Sequence, residues 1–480
     1  MTTTTPKTSL KVIALAVAGA VGGFLFGFDS SVVNGAVDAV QGQFDLSASL
    51  TGFAVASALL GCAVGAYGAG RIADRWGRIP AMIVGAVLFL ASALGCGFAF
   101  GVWDLVFWRL IGGLGIGIAS VIAPAYIAEI SPKHMRGRLA SLQQLAITIG
   151  IFAALLSDAL FANGAGGAGE KFWLGLEAWR WMFLAGAVPA VVYGVIAFLL
   201  PESPRFLVLK KRDDEVRSIF ARLWPNDDVE RAIRDMRSAI EADAIGSQKG
   251  ALRGDRFGLK PIVWVGIILS IFQQFVGINV IFYYSTTLWK SVGFQESDSF
   301  TISVITSITN IAVTFVAIAL VDRVGRRPIL LFGSAGMALS LATMSLAFSQ
   351  ADVVDGAPSL PDAWGPIALV AANVFVVSFG ASWGPVVWVL LGEIFPTRIR
   401  ARALGIAAAA QWIANFLITV SFPPLADFSL IFTYGMYAFF AALSFVFVFK
   451  IVPETNGMSL EEANTLLPPK GSAKKKPAAR

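Results

Sequence analysis

Gln273-Gln274-Phe275-Val276-Gly277-Ile278-Asn279, followed by Tyr283-Tyr284, sets three amides and two phenols into one short, otherwise apolar stretch. Amides offer donors and acceptors without charge, so the cluster suits a neutral ligand built of hydroxyl groups. Gln274 and Asn279 are five positions apart, with Gln273 and Tyr283 on adjoining faces of the same helix. Gluing helices together is the alternative use for such groups, but their density around a helix-loosening Gly277 favours a ligand. A second set is charged. Asp29 lies in Gly27-Phe28-Asp29 and Arg109 opens Arg109-Leu110-Ile111-Gly112-Gly113, each inside an apolar run. Burial disfavours a carboxylate and a neighbouring guanidinium favours it, so a pair that forms and breaks can take up and release a proton. A static ion pair is the alternative.

These groups need elements that hold polar atoms away from water. With 56% hydrophobic and only 14% charged residues, the chain is not a soluble domain. Apolar segments of about 20 residues, each able to cross a ~30 Å hydrocarbon core, recur about twelve times, and 48 glycines suit closely packed membrane helices. The first segment is not expected to be a cleaved signal peptide, because it is long, Gly-rich and carries Asp29. The expected class is an all-α polytopic membrane protein with twelve transmembrane helices.

The spans are organised as a duplication. Asp74-Arg75-Trp76-Gly77-Arg78 returns as Asp322-Arg323-Val324-Gly325-Arg326. Glu129-Ile130-Ser131-Pro132, leading to Arg136 and Arg138, returns as Glu393-Ile394-Phe395-Pro396, leading to Arg400 and Arg402. Pro201-Glu202-Ser203-Pro204 is echoed more loosely by Pro453-Glu454-Thr455. Parallel repeats of this kind build two bundles with a ligand site between them. The expected units are 1–204 and 259–453 as six-helix bundles, 205–258 as a cytoplasmic helical linker domain, and 454–480 as a cytoplasmic tail. Within the linker, Val216, Phe220, Leu223, Val229, Ile233, Met236 and Ile240 have helix-like spacing. Asp74, Arg75, Arg78, Glu129, Arg136, Asp322, Arg323, Arg326, Glu393 and Arg400 are expected to form a charge network closing one side of the membrane, with helix capping as the alternative.

Lys and Arg crowd the loops on that side, including Lys210-Lys211-Arg212 and Lys474-Lys475-Lys476, whereas the opposite loops carry Asp45, Glu296, Asp298, Asp352, Asp355 and Asp362. Both termini are therefore expected in the cytoplasm. The net charge of +6 is this bias and not a nucleic-acid footprint.

Other embedded polar and aromatic groups are Gln143, Gln144, Asn310, Trp383, Trp388, Gln411-Trp412 and Asn415. Amides beside tryptophan faces suit a sugar ring, which has hydroxyl edges and apolar C–H faces. Trp388, beside the Gly384-Pro385 break, is the stronger aromatic candidate. Asp158 is expected near the far interface. His134, alone of its type, sits in a basic loop, and Cys62 and Cys96 are expected to be buried thiols. Gly112-Gly113-Leu114-Gly115-Ile116-Gly117 reads as close helix packing and not as a phosphate loop. No Walker A motif, catalytic cluster or metal site is expected; the only coupling partner would be a proton.

Taken together, Asp74-Arg75-Trp76-Gly77-Arg78, Pro201-Glu202-Ser203-Pro204-Arg205, Gln273 to Asn279, Trp383-Gly384-Pro385-Val386-Val387-Trp388 and Pro453-Glu454-Thr455 resemble the sugar porters of the major facilitator superfamily over nearly the whole chain. The resemblance implies alternating access and sugar hydrogen bonds from Gln144, Gln273, Gln274, Asn279, Asn310, Trp388 and Gln411. Phe26, Ile151, Phe282, Tyr283 and Trp412 are expected to line the same site. Passive relatives can have Asn at the position of Asp29, so Asp29 with Arg109 favours proton coupling. One departure is Gly186, where the xylose symporter has a Glu, so that group's role cannot be carried over. Ile151 and Phe282 resemble the glucose carriers instead of the xylose symporter. The expectation is a monomeric plasma-membrane importer of a monosaccharide, D-glucose foremost, coupled to a proton. A passive uniporter, a xylose- or galactose-preferring symporter and, more remotely, a non-transporting sugar sensor are the alternatives.

Overall fold

Hydrocarbon leaves no water for backbone N–H and C=O groups, so a spanning chain satisfies them within helices. The computed structural model describes residues 10–131, 136–223, 228–249, 252, 258–354, 357–361, 363–395 and 399–455. Five long helices, α1 (Leu10–Gln43), α2 (Ala48–Trp76), α3 (Arg78–Gly97), α4 (Val102–Ile130) and α5 (Arg136–Ala165), precede a sixth span broken into α6 (Ala178–Ala185) and α7 (Ala187–Leu199). Three shorter helices follow: α8 (Pro204–Leu209), α9 (Asp213–Leu223) and α10 (Val229–Lys249). The second set comprises α11 (Pro261–Phe275), α12 (Ile278–Tyr283), α13 (Ser285–Ser291), α14 (Glu296–Val324), α15 (Arg326–Phe348), α16 (Trp364–Gly380), α17 (Trp383–Ile394), α18 (Arg400–Phe428) and α19 (Leu430–Lys450).

Twelve of these segments are long and apolar enough to cross a bilayer, counting α6–α7, α11–α12 and α16–α17 as one broken span each. Their outward faces fit that reading. Leu199 and Phe332 are 76% and 77% exposed, which a water-soluble surface would not tolerate along whole helix faces. Among the described residues the regular elements are helical apart from one small antiparallel hairpin, β1 (Asp352–Val354) with β2 (Ala357–Ser359), in the loop between α15 and α16, and an isolated bridge between Lys171 and Glu177.

Small residues let the helices approach. A Cβ on Gly113 would lie 2.0 Å from the Ala58 carbonyl oxygen, and one on Gly117 2.2 Å from that of Cys62, so the Gly-rich run of α4 is a seam against α2. Cys62 and Cys96 are free and buried. The linker helices turn their apolar residues inward: Phe206 and Leu207 from α8, Val216, Ile219, Phe220 and Leu223 from α9, and Ile233 from α10 join the first bundle's core.

The apolar core is divided unevenly along the membrane normal. Near the linker, the first bundle has its own cluster, including Val12, Ala16, Ala73, Tyr126 and Tyr193. At the far end, Val32, Val37, Val40, Leu155 and Trp179 of the first bundle share one continuous cluster with Ile281, Tyr284, Leu288 and Trp289 of the second. The bundles are thus fused at the far end, while the first bundle's core near the linker is its own.

Candidate functional site

The amide cluster lies at a helix break. Gly277 has φ +83°, a left-handed conformation that a side chain resists, and it separates α11 from α12. A second break, at Ser382, separates α16 from α17. Gln273 ties the first break to the second: its Nε2 donates to the Trp383 carbonyl at 3.0 Å and to that of Gly384 at 3.3 Å, both in the first turn of α17. Trp383 is itself fixed, its indole N–H donating to Ser334 Oγ at 2.9 Å. Gln274 Nε2 donates weakly to Gln273 Oε1 at 3.5 Å, and Asn279 Nδ2 donates to Gln274 Oε1 at 2.6 Å. The amides therefore form a relay in which Gln273 is committed to the scaffold. Gln274 keeps donor capacity and Asn279, half-buried, keeps its carbonyl oxygen.

Further candidates sit on other elements. Asn310 of α14 is buried, and a Cβ on Gly380 would meet its Oδ1 at 3.2 Å, so it abuts the second break. Gln411 of α18 is half-buried and its Oε1 is a buried acceptor with no hydrogen-bond partner. Phe26 of α1 and Trp412 of α18 meet edge to face at 5.7 Å, one from each bundle. Tyr283 pairs with Asn415 of α18, and Phe282 is buried beside it. Gln144 and Ile151 are half-buried on α5. Gln143 faces α1, against Gly23. Trp388 is 42% exposed, whereas Trp383, which the spacing reading ranked lower, is fully buried as scaffold.

Asp29 and Arg109 do meet. Arg109 Nη1 lies 3.2 Å from Asp29 Oδ2, and both side chains are almost entirely buried. Arg109 also donates to the carbonyls of Asp29 at 3.3 Å and Val55 at 3.4 Å. Two neutral acceptors thus remain for the guanidinium whatever the charge of Asp29. Beyond the pair lies a cavity of about 10 Å³ whose lining includes Val33, Val37, Val55 and Leu105, with Thr51 and Arg109 as its polar residues.

The repeated loops form two matching clusters, each within its own bundle. Arg78 donates to both Glu129 oxygens at 3.0 and 2.9 Å, and Arg326 to both Glu393 oxygens at 3.2 and 2.9 Å. Glu202 accepts from the backbone of Arg78 and Ile79, and Glu454 from that of Arg326 and Arg327, capping the helix starts where anions are favoured. Ser203 donates to Glu129 and Thr455 to Glu393. The loose Pro-Glu echo is therefore part of the same device. Gly77 and Gly325, at φ +111° and +99°, turn the chain into these caps. Asp74 reaches Arg78 at 3.5 Å from an exposed position, and Arg75 and Arg323 are exposed. The expected network across the two bundles is not formed among the described side chains; those of Arg136, Asp322 and Arg400, and the whole of His134, lie outside the described residues.

One polar seam was not anticipated from sequence. At the far end, Asn34 of α1 accepts through its backbone carbonyl from the Thr286 hydroxyl at 2.7 Å and through Oδ1 from the Thr286 N–H at 3.1 Å. Asp38 accepts from Thr287 at 2.7 Å and pairs with Lys290 at 2.9 Å. Glu296 accepts from the Ala168 N–H at 3.2 Å. An acid and a lysine at the far ends of the first helix in each repeat were the available signal. Asp158, expected near the far interface, is wholly buried against α1.

A model of the family described as "Sugar (and other) transporter" matches residues 15–467. The chain belongs to that family. It is a membrane transporter and not an enzyme. The transporter is 54% identical over 455 residues to a glucose transport protein of Synechocystis sp., covering 94% of this chain and 96% of the relative. It is 34% identical to the D-xylose-proton symporter of Escherichia coli K12, covering 97% of each, and 35% identical to the glucose transporter GlcP of Staphylococcus epidermidis, covering 93% and 95%. Among solved structures, the inward open conformation of the E. coli xylose transporter superposes with a TM-score of 0.80 at 33% identity, covering 95% of this chain and 99% of that one. The same symporter bound to 6-bromo-6-deoxy-D-glucose gives 0.77 at 34% identity, covering 95% and 98%.

Proposed function

We propose that this transporter imports a monosaccharide, D-glucose foremost, together with a proton across the plasma membrane, acting as a monomer with its linker end in the cytoplasm. The observation that carries the coupling is the buried Asp29–Arg109 pair. A lone buried charge is costly, so Asp29 is tolerated either ionised against Arg109 or neutralised by a proton. In the second case the guanidinium keeps two neutral acceptors, the carbonyls of Asp29 and Val55, while its Nε has no partner, so the buried cation favours recapture of the carboxylate. With the far end open, Asp29 takes a proton and sugar engages Gln274, Asn279, Asn310 and Gln411, with Gln144, Trp388 and Trp412 closing around it; Phe26, Ile151, Phe282 and Tyr283 complete the wall and Gln273 holds the relay in place. The bundles then rock about this site, the far end seals, and loss of the proton to the cytoplasm lets Arg109 recapture the carboxylate. The Lys- and Arg-rich loops at the linker end support this orientation.

Glucose as substrate is supported by the names of the Synechocystis and Staphylococcus relatives, and coupling by that of the xylose-proton symporter. Within the cytoplasmic clusters, Arg78–Glu129 and Arg326–Glu393 hold each bundle rigid. Asp74, Arg75, Arg136, Asp322, Arg323 and Arg400 are proposed to bridge the bundles when the cytoplasmic side shuts. Asp29→Asn tests the coupling: it should abolish accumulation against a gradient while sparing sugar exchange. Retained accumulation would remove Asp29 from the proton's route.

A further inference from the structure

Asp158 is a second acid wholly buried in the first bundle, and the sugar–proton cycle above does not use it. It sits on α5, in the far part of the membrane, where Gly35 of α1 makes room for it: a Cβ on Gly35 would lie 2.7 Å from Asp158 Cβ. Its Oδ2 accepts one hydrogen bond, from the Gly35 N–H at 3.2 Å, and its Oδ1 is buried with no partner. An ionised carboxyl in that position would carry an uncompensated charge and an orphan oxygen. The charged groups on the packed helices are committed elsewhere or distant in the chain's layout. On α1, Asp29 pairs with Arg109 of α4 and Asp38 with Lys290. On α6, Arg180 is held by Glu177 and by the carbonyls of Gly97 and Ala99. On α14, Glu296 accepts from Ala168, Asp298 lies in the first turn and Arg323 at the opposite end. The remaining acids of α4 are at its ends, Asp104 capping Phe100 and Glu129 holding Arg78.

The position of Asp158 relative to the seam is the second observation. Gly35 follows Asn34, the residue that ties α1 to Thr286 of the other bundle. Asn34 Nδ2 is also buried without a partner. The acid therefore packs against the residue next to the polar contact that joins the bundles at the far end, close enough that parting the contact would admit water to it.

We propose that Asp158 is a second protonatable group of the transporter, set to report on the far-end seam. It is the neutral acid while Asn34 and Thr286 are joined, and it exchanges its proton with the far-side solution once they part. An ionised Asp158 cannot be sealed back into its pocket, so closure of the far end requires that proton. The proton need not cross the membrane: it is taken up before closure and kept through the sealed state, making Asp158 a positioning residue and Asp29 the coupling one. This rests on the sugar-transport reading.

The test is sugar exchange by proteoliposomes in an Asp29→Asn background, where the coupling acid no longer titrates, as a function of far-side pH. The exchange rate should fall roughly threefold or more between about pH 5 and about pH 9, because raising the pH ionises Asp158 in the open state only. Adding Asp158→Asn, which keeps an oxygen for the Gly35 N–H, should make the profile flat. Asp158→Ser, smaller and still able to accept that bond, serves the same purpose if Asn does not fold. A flat profile in Asp29→Asn alone, or a pH dependence that survives loss of Asp158, overturns the proposal. Accumulation by Asp29→Asn would instead overturn the coupling reading and leaves the Asp158 comparison interpretable.

Discussion

Gln274→Ala separates a sugar ligand from helix glue within the amide relay. Gln274 accepts from Asn279 at 2.6 Å but donates only at 3.5 Å to Gln273, so its donor capacity is nearly uncommitted in the absence of ligand. Truncation removes a donor to a sugar hydroxyl, worth about 0.5–1.5 kcal/mol net. It also releases Asn279 from its orienting bond, with a similar loss for the second sugar contact. A combined loss of about 1–3 kcal/mol corresponds to roughly 5- to 150-fold weaker binding. Gln273→Ala should behave differently. Its Nε2 donates to the Trp383 and Gly384 carbonyls, so truncation deletes a buried hydrogen bond between the two broken spans and leaves a cavity, at about 1–3 kcal/mol in folding stability. Calorimetric titration of glucose into detergent-solubilised protein, with thermal unfolding run in parallel, reads both quantities. The expected pattern is that Gln274→Ala loses affinity more than stability and Gln273→Ala the reverse. A dissociation constant for Gln274→Ala within about twofold of the parent would refute the relay as a sugar site.

Two other perturbations follow from measured contacts. Gly77→Ala should cost about 2–3 kcal/mol of stability and Gly325→Ala about 1–2, since both have positive φ but the new Cβ meets Glu202 at 2.2 Å and Glu454 at 3.0 Å. Unfolding curves giving the opposite order would contradict the capping geometry. Lys290→Met breaks a pair whose side chains are 34% and 27% exposed, worth after screening about 0.5–1 kcal/mol. The far-end-open population should therefore rise by roughly two- to fivefold in spin-label distance distributions across that end; an unchanged distribution would mean that the pair does not hold the seam.

The fold was legible because hydropathy and duplication are both written in the chain. Twelve apolar runs marked the spans, and the paired Asp-Arg-x-Gly-Arg and Glu-x-x-Pro landmarks marked the halves. The Asp29–Arg109 contact was legible from helix depth, since two buried charges at one level have few other partners. What spacing could not resolve was which polar residue serves the scaffold and which faces a ligand. Gln273 and Gln274 are adjacent and identical in type, yet only the first hydrogen-bonds to the start of α17 after the break at Ser382. Trp383 and Trp388 differ in the same way, one buried and hydrogen-bonded, the other open. For the duplicated loops, spacing could not separate a gate from helix capping, and the bidentate geometry of Arg78 and Arg326 shows that these two serve contacts within their own bundles. The far-end seam escaped notice because Asn34, Asp38 and Thr286 carry no motif and acquire meaning only when the bundles meet.

The central claim is that sugar movement is driven by protons through Asp29. Purified protein in liposomes, given an inward proton gradient and offered glucose, xylose and galactose in turn, tests it most directly. The account predicts accumulation of glucose above its external concentration, collapse of that accumulation when a protonophore dissipates the gradient, and weaker accumulation of the other two sugars. Glucose that equilibrates at the same rate and to the same level with or without the gradient would contradict it and make this transporter a passive carrier.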